Sequence, residues 1–189
     1  VLPQIYFDNI VNYVRGGGAV LVAGGTDLLE PGSLANTPLE EILPGLPTGQ
    51  AILEPYHARR TKQGERHPVT RGLPGSQSDP PHWSRFFRVI DTAQRSGRSL
   101  LAAPGDKPVL LIDKVGEGRV ALLLSDHIWL WARGYEGGGP HIDLLRRLSH
   151  WLMKEPDLEE ERLKLSVSGR DLVVERQTMS DTVPPAIVT

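Results

Sequence analysis

An α/β fold is predicted by three features of the chain. The first is a continuous apolar run, Ala19-Val20-Leu21-Val22-Ala23, set between a helical stretch and a glycine pair. The second is a strand–turn–strand pattern over residues 107–125, and the third an amphipathic helix over residues 142–153. In order, the chain opens on a helix: Leu2, Ile5, Ile10, Val11 and Val14 recur at helical spacing and stop at Gly16-Gly17-Gly18. The run that follows reads as a central parallel strand buried on both faces, ending in Gly24-Gly25-Thr26-Asp27. Pro38 to Leu43 reads as a short helix, with Thr37 as its cap, Pro38 at its first position and Glu40 and Glu41 at its positive end. Residues 54–82 form a long polar segment, and residues 86–90 and 99–103 read as short strands. Residues 107–115 and 119–125 flank Gly116-Glu117-Gly118 as an antiparallel hairpin. In the last helix Leu145, Leu148 and Leu152 share a stripe with Trp151 beside it, and Glu155-Pro156 ends it.

The totals narrow the chemistry more than the biology. A chain of 189 residues builds one domain, or one with a small appendage, and needs no staple to bury a core. A hydrophobic fraction of 39% with 23% charged residues reads as globular rather than disordered. Twenty Gly and 16 Pro imply long, shaped loops. There is no Cys, which excludes thiolate nucleophiles, disulfides and cysteine-ligated metals. A net charge of −2 with both signs interspersed argues against a nucleic-acid partner. No apolar stretch is long enough to cross a bilayer and no signal-peptide pattern is present, so the chain is expected to be soluble.

Both ends read as cut from a longer polypeptide. An α/β domain normally feeds its first helix from a strand, and none precedes this one. After the charge run Glu159-Glu160-Glu161, two short alternating runs, residues 163–167 and 172–175, flank Ser168-Gly169-Arg170-Asp171 as a hairpin. The division expected is an N-terminally truncated α/β domain over residues 1–162 and a β hairpin with its tail over residues 163–189. The hairpin would be an extra edge or the start of a further β-rich domain. The tail from Met179 onward, with Pro184-Pro185, is expected to lack fixed structure.

The order of several short motifs carries a family resemblance. They are Tyr13-Val14, Gly16-Gly17-Gly18, the strand into Ala23-Gly24-Gly25, Thr37-Pro38-Leu39, His67-Pro68-Val69-Thr70 and Gly116-Glu117-Gly118-Arg119-Val120. The most specific is Ser125-Asp126-His127-Ile128-Trp129-Leu130-Trp131-Ala132-Arg133-Gly134. Together they resemble the glutamine-amidotransferase-like domain of large bacterial inner-membrane proteins. The resemblance implies a flavodoxin-like, three-layer class I amidotransferase fold. It also implies upstream membrane helices and a von Willebrand factor A-like region. It places the domain in an inner-membrane protein, with the periplasmic face as the expected side. The expected partners are other domains of the same chain or an envelope protein. No cofactor is implied. In active class I enzymes a Cys stands on a strand-to-helix elbow, and a His-Pro-Glu segment follows a later strand. Here the elbow falls at Gly24-Gly25-Thr26, and the later segment falls near Asp126-His127, with Ile128 and Trp129 where Pro and Glu would stand. The resemblance therefore implies a pseudoenzyme.

Candidate residues follow from placement at strand ends, where ligands of open α/β sheets bind. Gly24, Gly25, Thr26, Asp27, Asp126, His127, Trp129, Trp131 and Arg133 are the candidate binding residues; Asp126 and His127 are the weak catalytic candidates. Gly24 to Asp27 and Ser125 to His127 should meet as the floor of one cleft, with glycine N–H groups exposed to its occupant. Ser125-Asp126-His127 holds the residue types of a hydrolase triad, but neighbours on a strand point to opposite faces and cannot form the relay. Trp129, Trp131, Arg133 and Tyr135 could stack a sugar or peptide, or pack as a lid. His67, His82, His127 and His141 show no metal-ligand spacing, so no metal site is assigned. Gly16-Gly17-Gly18 precedes its strand instead of following one, and Pro140 removes a donor after Gly137-Gly138-Gly139, so neither run reads as a phosphate loop. The main expectation is a non-catalytic binding or assembly module. The alternatives are a hydrolase activating water through Asp126 or His127, and a structural spacer whose pocket Trp129 and Trp131 fill.

Overall fold

A computed structural model describes residues 3–169 and 171–179. In chain order the strands are β1 (Ala19–Ala23), β2 (Gly45–Ile52), β3 (Arg59–Arg60), β4 (Val89–Gln94) and β5 (Arg98–Ala103). They continue as β6 (Lys107–Val115), β7 (Gly118–Leu123), β8 (Arg162–Ser168) and β9 (Asp171–Gln177). The helices are α1 (Gln4–Arg15), α2 (Lys62–Arg66), the single turn α3 (Trp129–Ala132) and α4 (His141–Leu152).

A mixed five-stranded sheet in the order β1-β7-β6-β5-β3 forms the centre, with a two-stranded β2-β4 sheet beside it. The fold is therefore α/β, with helices α1 and α4 packed on β7. The predicted hairpin is present: Leu110 stands opposite Leu123 and Val115 opposite Gly118. Every residue of β7 is buried, and so are Val109, Leu110, Leu111 and Ile112 of β6. Six consecutive buried residues in β7 explain why that stretch carries no polar alternation apart from Arg119. The Arg119 guanidinium lies over the Trp151 ring, 4.8 Å from its centroid, and donates to the Trp151 carbonyl and to Glu159.

One expectation about the sheet is overturned. β1 runs parallel to β7, Val20 opposite Val120, but among the described residues it lies at the sheet edge and is not central. Val22 is buried, whereas Leu21 is 39% exposed and Ala23 is exposed as well. The strand is covered on one face. A five-residue run of small and medium aliphatics reads alike whether one face or both are covered. The place at the centre belongs to β6, flanked by β7 and β5.

Elsewhere local signals and tertiary packing agree in part. Residues 38–41 form a 3₁₀ turn instead of an α-helix, capped by Thr37, whose Oγ1 accepts the Leu39 N–H at 3.3 Å. The strand after it, β2, starts inside the Pro/Gly-rich stretch. The segment expected over residues 86–90 starts later, as β4. In α4 the buried stripe is Leu144, Leu148, Trp151 and Leu152, with Leu145 only half-buried. The long segment 54–82 packs into the core: Ala58, His67, Val69, Thr70 and Leu73 are all fully buried. His67 Nδ1 accepts the Val69 N–H at 3.2 Å, and its Nε2–H donates to Glu160 at 3.3 Å, tying this segment to the chain after α4.

The C-terminal hairpin forms as β8 and β9, with Arg162 opposite Gln177 and Ser168 opposite Asp171. It makes a two-stranded sheet of its own, and Leu163, Leu165, Val167, Leu172 and Val174 are exposed. From residue 180 on, the expected unstructured tail lies outside the described residues. No helix is long and apolar enough to cross a membrane among the described residues.

Candidate functional site

Parallel pairing of β1 with β7 delivers both strand ends to one rim. The Gly24 N–H donates to the Leu123 carbonyl at 3.1 Å, continuing the ladder one residue past β1. Gly25 then meets Asp126: a Cβ added at position 25 would lie 2.7 Å from the Asp126 carboxyl carbon and from Oδ2. The two segments, about a hundred positions apart in sequence, are in contact, as the strand topology requires. The glycine N–H groups, however, are not offered to an occupant. That of Gly24 is spent on Leu123, and that of Gly25 donates to Asp27 Oδ1 at 2.7 Å. The side chain of Leu28 closes over Gly24. Thr26 and Asp27 stand exposed at the rim.

Asp126 is held by Arg88, a residue the sequence reading passed over. The guanidinium grips both carboxylate oxygens, Nε donating to Oδ1 at 3.2 Å and Nη2 donating to Oδ2. This bidentate fork is the strongest geometry an Arg–carboxylate pair offers. The signal was the lone charge in Phe86-Phe87-Arg88-Val89-Ile90, an otherwise apolar run that invites the question of its partner. The Arg88 carbonyl accepts from Ser125 Oγ at 2.6 Å and from the Tyr56 hydroxyl at 3.2 Å. Burial pushes the Tyr56 phenol far above its ordinary range, although a hydrogen bond to Ser125 works the other way.

Ser125 is fully buried and acts as a cap. Its Oγ accepts the His127 N–H at 3.3 Å and starts the 3₁₀ turn Asp126–Ile128. The His127 ring turns away from it: Nδ1 accepts the Phe87 N–H at 3.0 Å, leaving the proton of the neutral ring on Nε2. Nε2 lies 3.9 Å from Asp126 Oδ1. Burial lowers the His127 pKa, Asp126 opposes this and Arg88 adds to it. The expected strand does not extend this far, since β7 ends at Leu123 and Asp126–Ile128 form a 3₁₀ turn; the three residues form no relay for a different reason, the hydroxyl being buried and committed and the imidazole bonded to the Phe87 N–H.

The aromatic cluster divides in two. Trp131 is buried between Trp83 and Phe86, with centroids 5.2 and 4.8 Å away, and its Nε1 donates to the Ser84 carbonyl at 3.1 Å. It is a core residue. Trp129, 53% exposed, and Arg133, also exposed, face solvent. Around them His127 and Tyr135 both meet Phe87 edge-on, and Arg85, forked onto Glu136, lies 5.8 Å from the Phe87 centroid. The rim is therefore a surface of exposed aromatic and ion-paired groups over a closed floor. Cavities of about 460 and 250 Å³ lie elsewhere, against Pro38 and against Leu46 respectively. Among the described residues no three His, Asp or Glu side chains converge as metal ligands: His67 is buried against Glu160, and His82 lies exposed.

No protein-family model matches the chain, and no curated protein matches it. Two solved structures share its fold. Cytoplasmic Protein STM3548 from Salmonella typhimurium is 21% identical with a TM-score of 0.61, over 77% of this chain and 59% of its own. Cytoplasmic Protein STM1381 from Salmonella typhimurium LT2 is 19% identical with a TM-score of 0.62, over 80% of this chain and 62% of its own. A β-galactosidase from Rahnella sp. R3 aligns over 91% of this chain and 25% of its own, 16% identical, with a TM-score of 0.46, too loose to carry an argument. The chain thus spans about three-fifths of the two proteins whose fold it shares. At these identities the likeness is one of fold.

Proposed function

We propose that this chain is a non-catalytic glutamine-amidotransferase-like domain, a binding or assembly module of a longer, membrane-anchored bacterial envelope protein. The observation that carries the reading is the contact of Gly25 with Asp126. At the elbow, where a class I amidotransferase presents its nucleophile, Gly24 and Gly25 have no side chain, Thr26 offers a hydroxyl in place of a thiolate, and the space a side chain at position 25 would enter is taken by Asp126, held by Arg88. A nucleophile needs an adjacent base and a free approach. His127 spends Nδ1 on the backbone, and the Asp126 charge is neutralised by a fork. What the rim retains is a fixed array of exposed aromatic and charged groups at Trp129, Arg133, Tyr135 and Asp126, the composition of a recognition surface. The packing of Trp131 favours one further reading, a spacer; exposed Trp129 separates the two.

The test is a photo-reactive amino acid at position 129 of the full-length protein in its native membrane. A discrete cross-link to another domain of the same chain or to one envelope protein, weakened by Asp126→Ala, is the expected result. No cross-link above that of a distant surface position would leave the spacer. Separately, purified chain should release no ammonia from glutamine; turnover that co-purifies with the chain and disappears on Asp126→Ala would overturn the non-catalytic reading.

A further inference from the structure

The central sheet ends on β1, and the outer edge of that strand is open. The Gly24 N–H donates to the Leu123 carbonyl and the Gly18 carbonyl accepts from the Arg119 N–H, so even-numbered residues turn their backbone groups toward β7. The N–H and C=O groups of Ala19, Leu21 and Ala23 therefore point the other way, where no strand stands among the described residues. Exposed edges are normally blunted by a charge, a proline or a bulge. Ala19-Val20-Leu21-Val22-Ala23 has no charge and no proline, and its register on β7 is unbroken. A second apolar surface lies beside this edge. Helix α1 buries Phe7, Val11 and Val14 and is tied down on one flank by the Arg15–Glu41 ion pair. Tyr6, Ile10 and Tyr13 recur at helical spacing on the other flank, with Tyr6 54% and Tyr13 64% exposed. The Tyr13 ring packs at Gly18, where an added Cβ would lie 2.3 Å from it, so this flank looks toward the start of β1.

We propose that a second copy of this chain pairs edge to edge with β1, antiparallel about a two-fold axis through Leu21. Ala19-Val20-Leu21-Val22-Ala23 reads the same in either direction. The axis therefore sets Ala19 opposite the partner's Ala23, Val20 opposite the partner's Val22 and Leu21 opposite the partner's Leu21. Each residue meets one of its own kind, and no charges are opposed. The residues whose backbone groups face outward, Ala19, Leu21 and Ala23, fall in the hydrogen-bonded pairs, which exchange both N–H···O bonds. Such a contact is isologous and closes at two copies. An axis perpendicular to the sheet also sets the two α1 helices on one face, antiparallel, with their Tyr6–Tyr13 flanks turned toward each other. Tyr6, Tyr13 and Leu21 offer roughly 300 Å² of apolar surface per copy, to which the strand edge adds. A standard interface covers about 800 Å² per partner, so this contact lies toward the lower end and its occupancy should depend on concentration. The pairing does not rest on any reading of the rim.

The experiment is sedimentation of the chain over a range of concentrations, with amide hydrogen exchange at both ends of the range. A reversible dimer is expected, its Leu21 and Ala23 amides protected at high concentration and exchanging freely on dilution. Leu21→Lys sets like charges against each other at the axis and should weaken the dimer at least tenfold. Tyr13→Lys, on the exposed helix flank, should weaken it too and leaves the strand sequence unchanged, so the test survives a strand variant that disturbs folding. The chain has no Cys, so Leu21→Cys reports directly on the pairing. Hydrogen-bonded partners lie about 5.5 Å apart between Cα atoms, within the range a disulfide spans. Mild oxidation should link two copies, in the chain and in the full-length protein, whereas Leu53→Cys, 68% exposed beyond β2, should give no such link. A monomer at every concentration would overturn the proposal, as would a dimer that leaves the two amides unprotected or forms no Leu21→Cys disulfide. Protection of those amides in a monomer would give the edge to another segment of the polypeptide and overturn it equally.

Discussion

Gly25 and Asp126 illustrate how much one contact decides at the scale of single residues. The absence of a side chain at position 25 lets the β1 end sit against a carboxylate that Arg88 already holds. Gly25→Ala therefore places a methyl group where the carboxyl lies, and overpacking of this kind costs about 1–3 kcal/mol. Asp126→Ala alone should cost less, about 1 kcal/mol, because the Arg88–Asp126 pair is 25% and 41% exposed and screened by water. In the double variant the methyl group finds the space vacated, so the two changes should not add. Urea denaturation of the four proteins in the cycle measures the coupling; strict additivity would show that Gly25 is tolerant and that the contact does not constrain the elbow. Arg88 itself was legible only as an anomaly in an apolar run. Its partner is 38 positions away, and nothing local names it.

Elements differ in how firmly they are embedded, and the contrast between α4 and the β8–β9 hairpin makes this measurable. Leu148 of α4 is buried to 1%, so Leu148→Ala should cost about 2–5 kcal/mol through lost burial and the cavity left behind. Leu165 and Val167 of β8 are 61% and 76% exposed. Lysine at either position should change the stability of the isolated chain by no more than about 0.5 kcal/mol. A loss of several kcal/mol in the isolated chain would mean that the hairpin's apolar face is covered in solution. The hairpin was readable in advance because period-two alternation and a Ser-Gly turn are local signals. β1 as a strand was readable for the same reason. Its edge position was not, because that depends on which other strands hydrogen-bond to it.

Across the whole molecule, stability should decline in acid, and the sign follows from two buried groups that join the long middle segment to the chain after α4. Burial lowers the His67 pKa below 6.5, with Glu160 opposing and the Arg98 and Lys114 charges reinforcing. The unfolded chain therefore takes up a proton first as pH falls through about 6.5, and folding weakens from there downward. His127, lowered in the same direction, adds to that limb. Burial alone would raise the Glu160 carboxyl, but hydrogen bonds from His67 and Arg98, with the Arg98 and Lys114 charges, hold it at about 2 against an ordinary 4.5. Its contribution, about 3 kcal/mol at 1.36 kcal/mol per pKa unit, is present above pH 4.5 and lost toward pH 2. Urea midpoints from pH 8 to 3 should be level above about pH 7 and then fall, and His67→Leu should flatten the first part of the fall. A midpoint that rises between pH 7 and 5 would contradict the burial of a neutral His67.

The amino-acid sequence by itself determined the elements that local periodicity can encode: α1, β1, the β6–β7 hairpin, α4 and the terminal hairpin. It also removed cysteine chemistry outright. Only the tertiary structure decided that β1 lies at an edge, that Trp131 belongs to the core while Trp129 faces water, and that the polar stretch around His67 is buried. It alone paired Arg88 with Asp126 and brought Arg71 of the long middle segment to Gln177 of the hairpin. The physical reason is the range of the interactions. Helix and strand periods repeat within a few residues, whereas burial and charge pairing depend on partners tens of positions away, which only the folded chain brings together.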